Sequence, residues 1–230
     1  MKTLISIFFL TFYSIASFAQ ENIITVGLQI KPIFRGAFFN AGDIEMTQDS
    51  VNFTVATSLG YSGGMIVRTG ITKNLSIEAG INYIKRVYPL SIEDSSFTGE
   101  SKFRIIGYEI PILALIYIRI GEKIYMDNAA GFSIDMFPSD FYTAGSYFKH
   151  SSRRTGFINP ALLANVGWEY RTNKSGFFYI GASFHRPFSK IMTTKIRYDR
   201  NNKTAEVETK LSGSYFTIDF RYFFHQAPEE

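Results

Sequence analysis

Cysteine is absent from the 230-residue sequence, which excludes disulfide scaffolds, thiolate zinc sites and cysteine catalysis. Blocks of one charge are also missing, because Lys and Arg are scattered along the chain and the net charge is only +4. We therefore expect no nucleic-acid partner. Beyond the N-terminal segment no apolar run is long enough for a membrane-spanning helix, the longest being Ile110 to Ile120. The sequence therefore excludes a helical membrane protein.

Aromatic side chains are abundant instead. The chain has 23 Phe, 14 Tyr and 1 Trp, and these make up 17% of its residues, while charged residues make up 19%. So apolar a composition excludes a disordered or collagen-like chain. Soluble domains build their cores mainly from Leu, Val and Ala, so we expect many of these aromatic side chains to lie somewhere other than in such a core.

The N-terminal segment has the three parts of a secretory signal peptide. A charged start at Lys2 precedes the apolar run Leu4 to Phe18, and the ending Ala16-Ser17-Phe18-Ala19 is typical of a cleavage site. We predict cleavage after Ala19, with residues 1–19 as the signal peptide and residues 20–230 as one domain. A transmembrane anchor, the alternative, needs a longer apolar run.

The mature chain alternates apolar and polar residues with period two in eight segments, as strands with two different faces do. In the first segment Leu28 and Ile30 oppose Gln29 and Lys31. The connections after the even-numbered segments are short, at residues 72–74, 121–123 and 172–176. The others are long and polar, at residues 36–52, 91–102, 138–156 and 193–209. Short turns at one end and long loops at the other predict an all-β, eight-stranded antiparallel transmembrane up-and-down barrel of the outer membrane, with both termini in the periplasm.

The two faces decide which side of the barrel meets lipid. A soluble barrel or sandwich with an apolar interior also shows alternation, so this alternative stays open on periodicity alone. The polar face, however, is mainly Gly, Ser, Ala, Thr and Asn with isolated charges, which favours a narrow lumen. Rings gather near the predicted periplasmic end of the apolar face, as in the aromatic girdle of a membrane barrel. They are Trp168, Tyr170, Phe178, Tyr222 and Phe224.

Charges on the polar face predict a filled lumen. Four cations and four anions fall at similar depth near the periplasmic end: Arg68, Arg119, Arg171 and Arg221, with Glu78, Asp127, Glu169 and Asp219. Buried charges persist when they are paired, so we expect a neutral layer that fills an eight-stranded barrel and leaves no open pore. The alternative is a wet channel with independently solvated charges.

Three cations lie on the apolar face near the loop side: Lys85, Arg104 and Arg186. We expect them to reach the outer-leaflet surface, where the phosphates of lipopolysaccharide attract cations. The alternative is that these strand ends are already in water. With the aromatic girdle, these residues form the predicted lipid interface.

Candidate chemistry is sparse. The three histidines, His150, His185 and His225, are separated and form no metal-ligand pattern. His185 has Ser183 and Ser189 nearby in sequence, but no lipase-type motif surrounds them. We therefore predict no catalytic residue, no metal and no cofactor. The third and fourth loops interleave basic and aromatic residues, which suits either recognition of a partner or contact with an anionic membrane surface. They are Lys149, Arg153, Arg154, Lys195, Arg197, Arg200 and Lys203, with Phe141, Tyr142, Tyr147 and Phe148.

Three stretches resemble the outer-membrane β-barrel family of Bacteroidetes that includes PorT-like proteins. They are the segment Tyr108 to Leu113, the segment Tyr179 to Phe188, and the aromatic last strand. The resemblance covers nearly all of the mature chain, and it implies a barrel whose PorT branch is associated with type IX protein secretion and gliding. One departure is the six-residue tail after Phe224, since many outer-membrane proteins end on the terminal aromatic residue.

These observations predict a non-enzymatic outer-membrane barrel with a filled lumen. It would act through its loops or its periplasmic rim as an accessory to an envelope or secretion assembly. A small transport channel is the second interpretation, and a lipid-modifying membrane enzyme centred on His185 is the third.

Overall fold

The computed structural model describes residues 24–34 and 42–225. The predicted signal peptide, the segment 35–41 and the tail from residue 226 onward lie outside the described residues. Among the residues described, no helix is long and apolar enough to cross a membrane.

The described residues form fourteen β-strands. In chain order these are β1 (Ile24–Phe34), β2 (Ile44–Gln48), β3 (Val51–Val55), β4 (Ser58–Gly70), β5 (Leu75–Asp94), β6 (Phe97–Arg119), β7 (Ile124–Met136), β8 (Phe141–Ala144), β9 (Phe148–Arg154), β10 (Ile158–Arg171), β11 (Phe177–Pro187), β12 (Met192–Arg200), β13 (Lys203–Leu211) and β14 (Tyr215–Phe223).

Eight of these strands close into an antiparallel ring. Its order is β1, β4, β5, β6, β7, β10, β11 and β14, and β14 pairs back with β1 in a register that places Leu28 opposite Tyr222. Closure gives every strand of the ring two hydrogen-bonded neighbours, as a barrel in lipid requires. The turns at residues 71–74, 120–123 and 172–176 lie at one end, which we name the turn end. The predicted eight-stranded up-and-down barrel is confirmed.

The barrel is apolar outside and polar inside. Outward-facing Phe132 is 61% exposed and Ile112 is 53% exposed, whereas inward-facing Asp127 and Glu169 are both fully buried. This arrangement reverses that of a soluble barrel, because the outer face is suited to hydrocarbon and not to water. The fold is therefore that of a transmembrane barrel, and the alternative of an apolar interior is wrong.

Small residues let large polar side chains fill the lumen. Gly167 and Gly181 lie opposite each other on β10 and β11, and a side chain on either would collide with the hydroxyl of Tyr179. That hydroxyl donates a hydrogen bond to Oδ1 of Asn165 at 2.6 Å. The two glycines thus make room for a ring that crosses the narrow lumen.

The long connections are not loops, so this prediction is wrong. The segments 42–57, 138–156 and 189–214 contain six further strands, and β5 and β6 extend far beyond the ring as one hairpin. The second alternating segment, predicted as one strand from about Phe53 to Ile71, is also divided, because β3 ends at Val55 and β4 begins at Ser58. Left-handed residues at Asp49 and Ser50 and at Asn201 and Asn202 form the two-residue turns between β2 and β3 and between β12 and β13.

At the end of the barrel opposite the turn end, two sheets face each other and form what we name the cap. The outer ends of β5 and β6 join β2 and β3 in one sheet, and the other has the order β13, β12, β9, β8. Their inner faces bury one apolar core. Its members are Val51, Phe53, Val55, Tyr88, Leu90, Ile92, Phe103, Ile105, Phe137, Ile191, Met192, Ile196, Tyr198, Ala205 and Leu211. The connections form strands because this core shields their alternate apolar residues from water.

Polar contacts fix the cap further. The ammonium of Lys203 donates a hydrogen bond to Oδ1 of Asp94 at 2.9 Å and lowers the pKa of that carboxyl to about 2. His150 stacks on Phe103 with ring centres 4.1 Å apart, and burial lowers the pKa of His150 to about 4. The imidazole is therefore neutral at pH 7, in keeping with its position against the apolar core.

Candidate functional site

The lumen near the turn end holds a layer of ion pairs centred on Arg68. Its Nη2 atom lies 3.1 Å from Oε2 of Glu78 and 3.6 Å from Oδ2 of Asp127. Its Nη1 atom donates a hydrogen bond to Oε2 of Glu169. One buried guanidinium therefore pairs with carboxylates from three strands, β5, β7 and β10.

Arg221 continues the layer across β14. It donates hydrogen bonds of 2.8 Å to Glu78 and to Asp219, so Glu78 is shared by two guanidinium groups. Asp219 also accepts hydrogen bonds of 2.5 Å from the hydroxyls of Ser183 and Thr217. Carboxylates stay charged in a buried place when their lone pairs are satisfied in this way.

Arg171 closes the layer toward the turns. Its Nε atom donates to Oε1 of Glu169 at 2.6 Å, and its side chain is 31% exposed. The guanidinium also lies 4.1 Å from the ring centre of Tyr125. We name Arg68, Glu78, Asp127, Glu169, Arg171, Asp219 and Arg221 the turn-end layer.

Arg119 does not belong to this layer, contrary to the sequence prediction. β6 ends at Arg119, so the side chain lies beyond the lumen, is exposed, and donates to the carbonyl oxygens of Gly121 at 3.0 Å and Glu122 at 3.4 Å. Buried Lys31, which sequence reasoning missed, lies 4.0 Å from Asp219 and supplies the fourth cation. The turn-end layer with Lys31 therefore has equal numbers of basic and acidic side chains.

A second cluster lies in the lumen nearer the cap. Nε2 of His185 is 3.1 Å from Oδ2 of Asp135 and 3.6 Å from Oε2 of Glu109. Nη2 of Arg86 is 3.8 Å from the same oxygen of Asp135. All four side chains are at most 4% exposed. We name Arg86, Glu109, Asp135 and His185 the cap-end cluster.

The barrel register explains why these residues meet. One row of directly opposed residues runs across six neighbouring strands: Gln29, Gly64, Asn82, Glu109, Asp135 and Asn159. Glu109 and Asp135 are therefore neighbours on the same face. The alternation already placed both on the polar face, so pairing β6 with β7 in register was the signal that could have found them.

The base of the cap lies directly on this cluster. The guanidinium of Arg86 is 5.7 Å from the ring centre of Phe137, a member of the cap core, and 4.7 Å from that of Tyr215 in the barrel. A side chain on Gly213, just after β13, would come within 2.9 Å of Nη1 of Arg86. Apolar cap and polar lumen thus meet at Arg86.

His185 does not pair with either serine that is close in sequence. Its Nε2 atom is 3.1 Å from Oγ of Ser133 and 3.1 Å from Asp135, whereas Ser183 donates to Asp219. A nucleophilic triad uses one ring nitrogen for the nucleophile and the other for the orienting acid. Here the same nitrogen faces both groups, and Ser133 is only 1% exposed.

The predicted lipid-interface residues lie on the outer face of the barrel. Trp168 and Tyr170 are exposed on β10, and Tyr222 has its ring centre 5.4 Å from that of Phe224. At the cap end, Lys85 is half-buried with its ammonium 5.6 Å from the ring centre of Tyr61. Arg104 and Arg186 are exposed on β6 and β11. The structure therefore places both groups on the outer face of the barrel, at its two ends.

The basic and aromatic residues of the third and fourth connections divide between the two faces of a sheet. Lys149, Arg153, Lys195 and Arg197 are exposed. Phe141 and Phe148 pack against the cap core. Arg154 is half-buried and donates to the carbonyl oxygens of Phe137 and Pro138. The exposed charges therefore stand on a sheet and not on loops.

No protein-family model matches the sequence, and no curated protein matches it. Solved structures match in fold. The outer membrane protein OprG from Pseudomonas aeruginosa has a TM-score of 0.55 at 13% identity, over 90% of this chain and 98% of OprG. The outer membrane protein AlkL has a TM-score of 0.42 at 12% identity, over 92% and 95% of the two chains. The outer membrane protease OmpT from Escherichia coli has a TM-score of 0.35 at 10% identity, over 87% and 95%.

At 13% identity the likeness to OprG shows the fold alone. The ring of eight strands, the apolar exterior and this likeness define the class, which is the outer-membrane β-barrel.

Proposed function

We propose that the protein is a closed outer-membrane barrel that displays its cap outside the cell, as a non-enzymatic accessory or structural component of an envelope or protein-secretion assembly. The observation that carries this proposal is the lumen itself, which is filled by mutually paired buried charges and covered by an apolar core. A barrel of this kind anchors a binding surface in the membrane and does not conduct solute.

The filled lumen supports the closed state. Arg68, Glu78 and Asp219 are between 0% and 4% exposed, and each takes part in an ion pair that links two strands. Opening a water path would require these ion pairs to separate, and each charge would then lose the partner that offsets the cost of its burial. The ion pairs therefore favour the closed lumen.

The cap supports a role in recognition. Its exposed charges stand on strands backed by a packed core, so binding would cost less conformational entropy than ordering a loop. On the outer face of the β8–β9–β12–β13 sheet, Lys195 lies 3.1 Å from Glu208, and Arg197 lies 3.8 Å from Asp199. A mixed and rigid charged face suits a protein partner of complementary charge pattern.

The membrane contacts follow from the same orientation. If the cap lies outside, Lys85, Arg104 and Arg186 are at the outer leaflet, where they would contact lipopolysaccharide phosphates. Trp168 and Tyr222 would then lie at the periplasmic interface. The predicted signal peptide supports export, and the resemblance to PorT-like barrels supports an assembly connected with secretion.

Site-specific photo-crosslinking in native envelopes tests these assignments together. A photoreactive residue at Arg197, on the cap face, is expected to give one discrete protein adduct. At Arg186 it is expected to give lipopolysaccharide adducts, whereas at Ile112, in the middle of the apolar belt, it should give neither. A barrel that is recovered without any protein adduct at Arg197 would contradict the accessory role, and absence of lipopolysaccharide at Arg186 would contradict the proposed orientation.

A further inference from the structure

We propose that the cap-end cluster is a metal site in which Glu109, Asp135 and His185 bind a divalent transition-metal cation. Each residue offers one ligand atom, and these atoms all lie within 4.8 Å of one another. The three residues come from β6, β7 and β11, and all are buried. The site is independent of the accessory role and would hold whether or not the cap binds a partner.

The spacing of the ligand atoms fits an ion between them. Zn²⁺ bound by imidazole nitrogen and carboxylate oxygen lies about 2.0–2.2 Å from each, which places tetrahedral ligands about 3.3–3.5 Å apart. Nε2 of His185 is 3.1 Å from Asp135 and 3.6 Å from Glu109. Small shifts of the side chains would therefore complete the coordination.

Neighbouring groups hold the carboxylates in place, as outer-shell partners of metal ligands do. Glu109 accepts a hydrogen bond of 2.8 Å from the Asn82 amide on Oε1 and one of 2.6 Å from the Tyr215 hydroxyl on Oε2. Asp135 accepts one of 3.0 Å from Ser133 on Oδ1. Its other oxygen, Oδ2, is fully buried and has no hydrogen-bond partner among the described residues. That oxygen lies 3.1 Å from Nε2 of His185, so an ion bound by His185 would also contact it and satisfy its unused lone pairs.

The net charge of the cap-end cluster supports a bound cation. With a neutral imidazole, Glu109 and Asp135 carry two negative charges against the single positive charge of Arg86. Arg86 lies to one side, between the rings of Phe137 and Tyr215, so it neutralises only part of the pair. These charges leave the cluster net negative before an ion binds, which favours a cation.

The donor set narrows the choice of ion. One imidazole nitrogen with two carboxylate oxygens suits Zn²⁺, Mn²⁺ or Fe²⁺ better than Ca²⁺, which takes oxygen ligands. The cap covers the site on one side and the turn-end layer lies on the other. An ion would therefore enter during folding, so loading must be tested by refolding.

The test is to refold the full mature chain in detergent with Zn²⁺ or Co²⁺, remove loose metal with a chelator, and measure what is retained. We expect about one ion per chain, a visible Co²⁺ spectrum typical of nitrogen and oxygen ligands, and retention reduced to about a tenth or less by His185→Ala and Asp135→Asn. His150→Ala, which removes the other buried histidine, is the control and should retain the ion.

Heat-modifiable migration in gels establishes that each variant is folded. If a variant fails to fold, Co²⁺ retained by the wild-type chain still decides, since its visible spectrum distinguishes an ion bound by protein ligands from hydrated Co²⁺ without any substitution. A folded wild-type chain that retains no metal would overturn the proposal. Retention that His185→Ala leaves unchanged would overturn it as well.

Discussion

Replacing Arg68 with Ala is expected to lower the free energy of unfolding by about 3–5 kcal/mol. The substitution removes the one group that contacts Glu78, Asp127 and Glu169 together. Glu78 keeps Arg221 and Glu169 keeps Arg171, but Asp127 is left without an ion-pair partner among the described residues. Removing one partner of a buried ion pair costs more than the pair itself contributes, because the remaining charge cannot be hydrated. Urea-induced unfolding in lipid vesicles, followed by tryptophan fluorescence, measures the change.

Arg119→Ala is the matched control. Arg119 is also an arginine of a ring strand and lies at the end of β6. Its side chain is exposed and donates to turn carbonyl oxygens, so its loss should cost less than about 1 kcal/mol. Arg68→Lys keeps the charge but loses the forked donor geometry, and it should fall between the two. Equal effects of the two alanine variants would contradict a layer centred on Arg68.

Replacing Phe53 with Ala is expected to destabilise the cap by about 3–5 kcal/mol while the barrel stays folded. Phe53 is fully buried between the two sheets of the cap, so truncation leaves a cavity in a core that is shared by distant connections. The barrel is held by its own closed hydrogen-bond ring, and of the ring strands β5 and β6 extend into this core through their outer ends. Limited proteolysis should therefore cut the segments 42–57 and 138–156 much faster in the variant, with heat-modifiable migration of the barrel unchanged.

Tyr142→Ala is the control for the cap, because Tyr142 is also aromatic and lies in the cap but is 66% exposed. It should leave the rate of proteolysis close to that of the wild type. If Phe53→Ala unfolded the barrel together with the cap, the two would be one cooperative unit, and the division described above would be wrong.

Periodicity was enough to predict the barrel. Each strand of the ring has one face in lipid and one in the lumen, so neighbours such as Leu28 and Gln29 differ sharply in polarity, and this difference is visible in a single sequence. The depth of Arg68 and Glu78 along their strands also followed from alternation and turn position. Arg119 was wrongly predicted to lie in the lumen, because alternation shows which face a residue is on but not where the strand ends.

The cap could not be predicted in the same way. The residues from Phe53 to Val55 alternate just as β4 does, so the sequence from Phe53 to Ile71 reads as one strand until the break before Ser58 is known. The apolar face of β3 is buried by Ile196 and Tyr198, more than 140 residues away in the chain. The long connections are rich in polar residues, and without a partner for their apolar face they read as loops. The cap-end cluster was missed because it requires the register between strands and not only their faces.

Single-channel recording of the refolded wild-type chain in planar bilayers tests the closed lumen most directly. A lumen filled by the turn-end layer and covered by the cap predicts no steady channel, with at most rare, brief current events. Steady and large conductance in most insertions would contradict it and make the protein a transport channel.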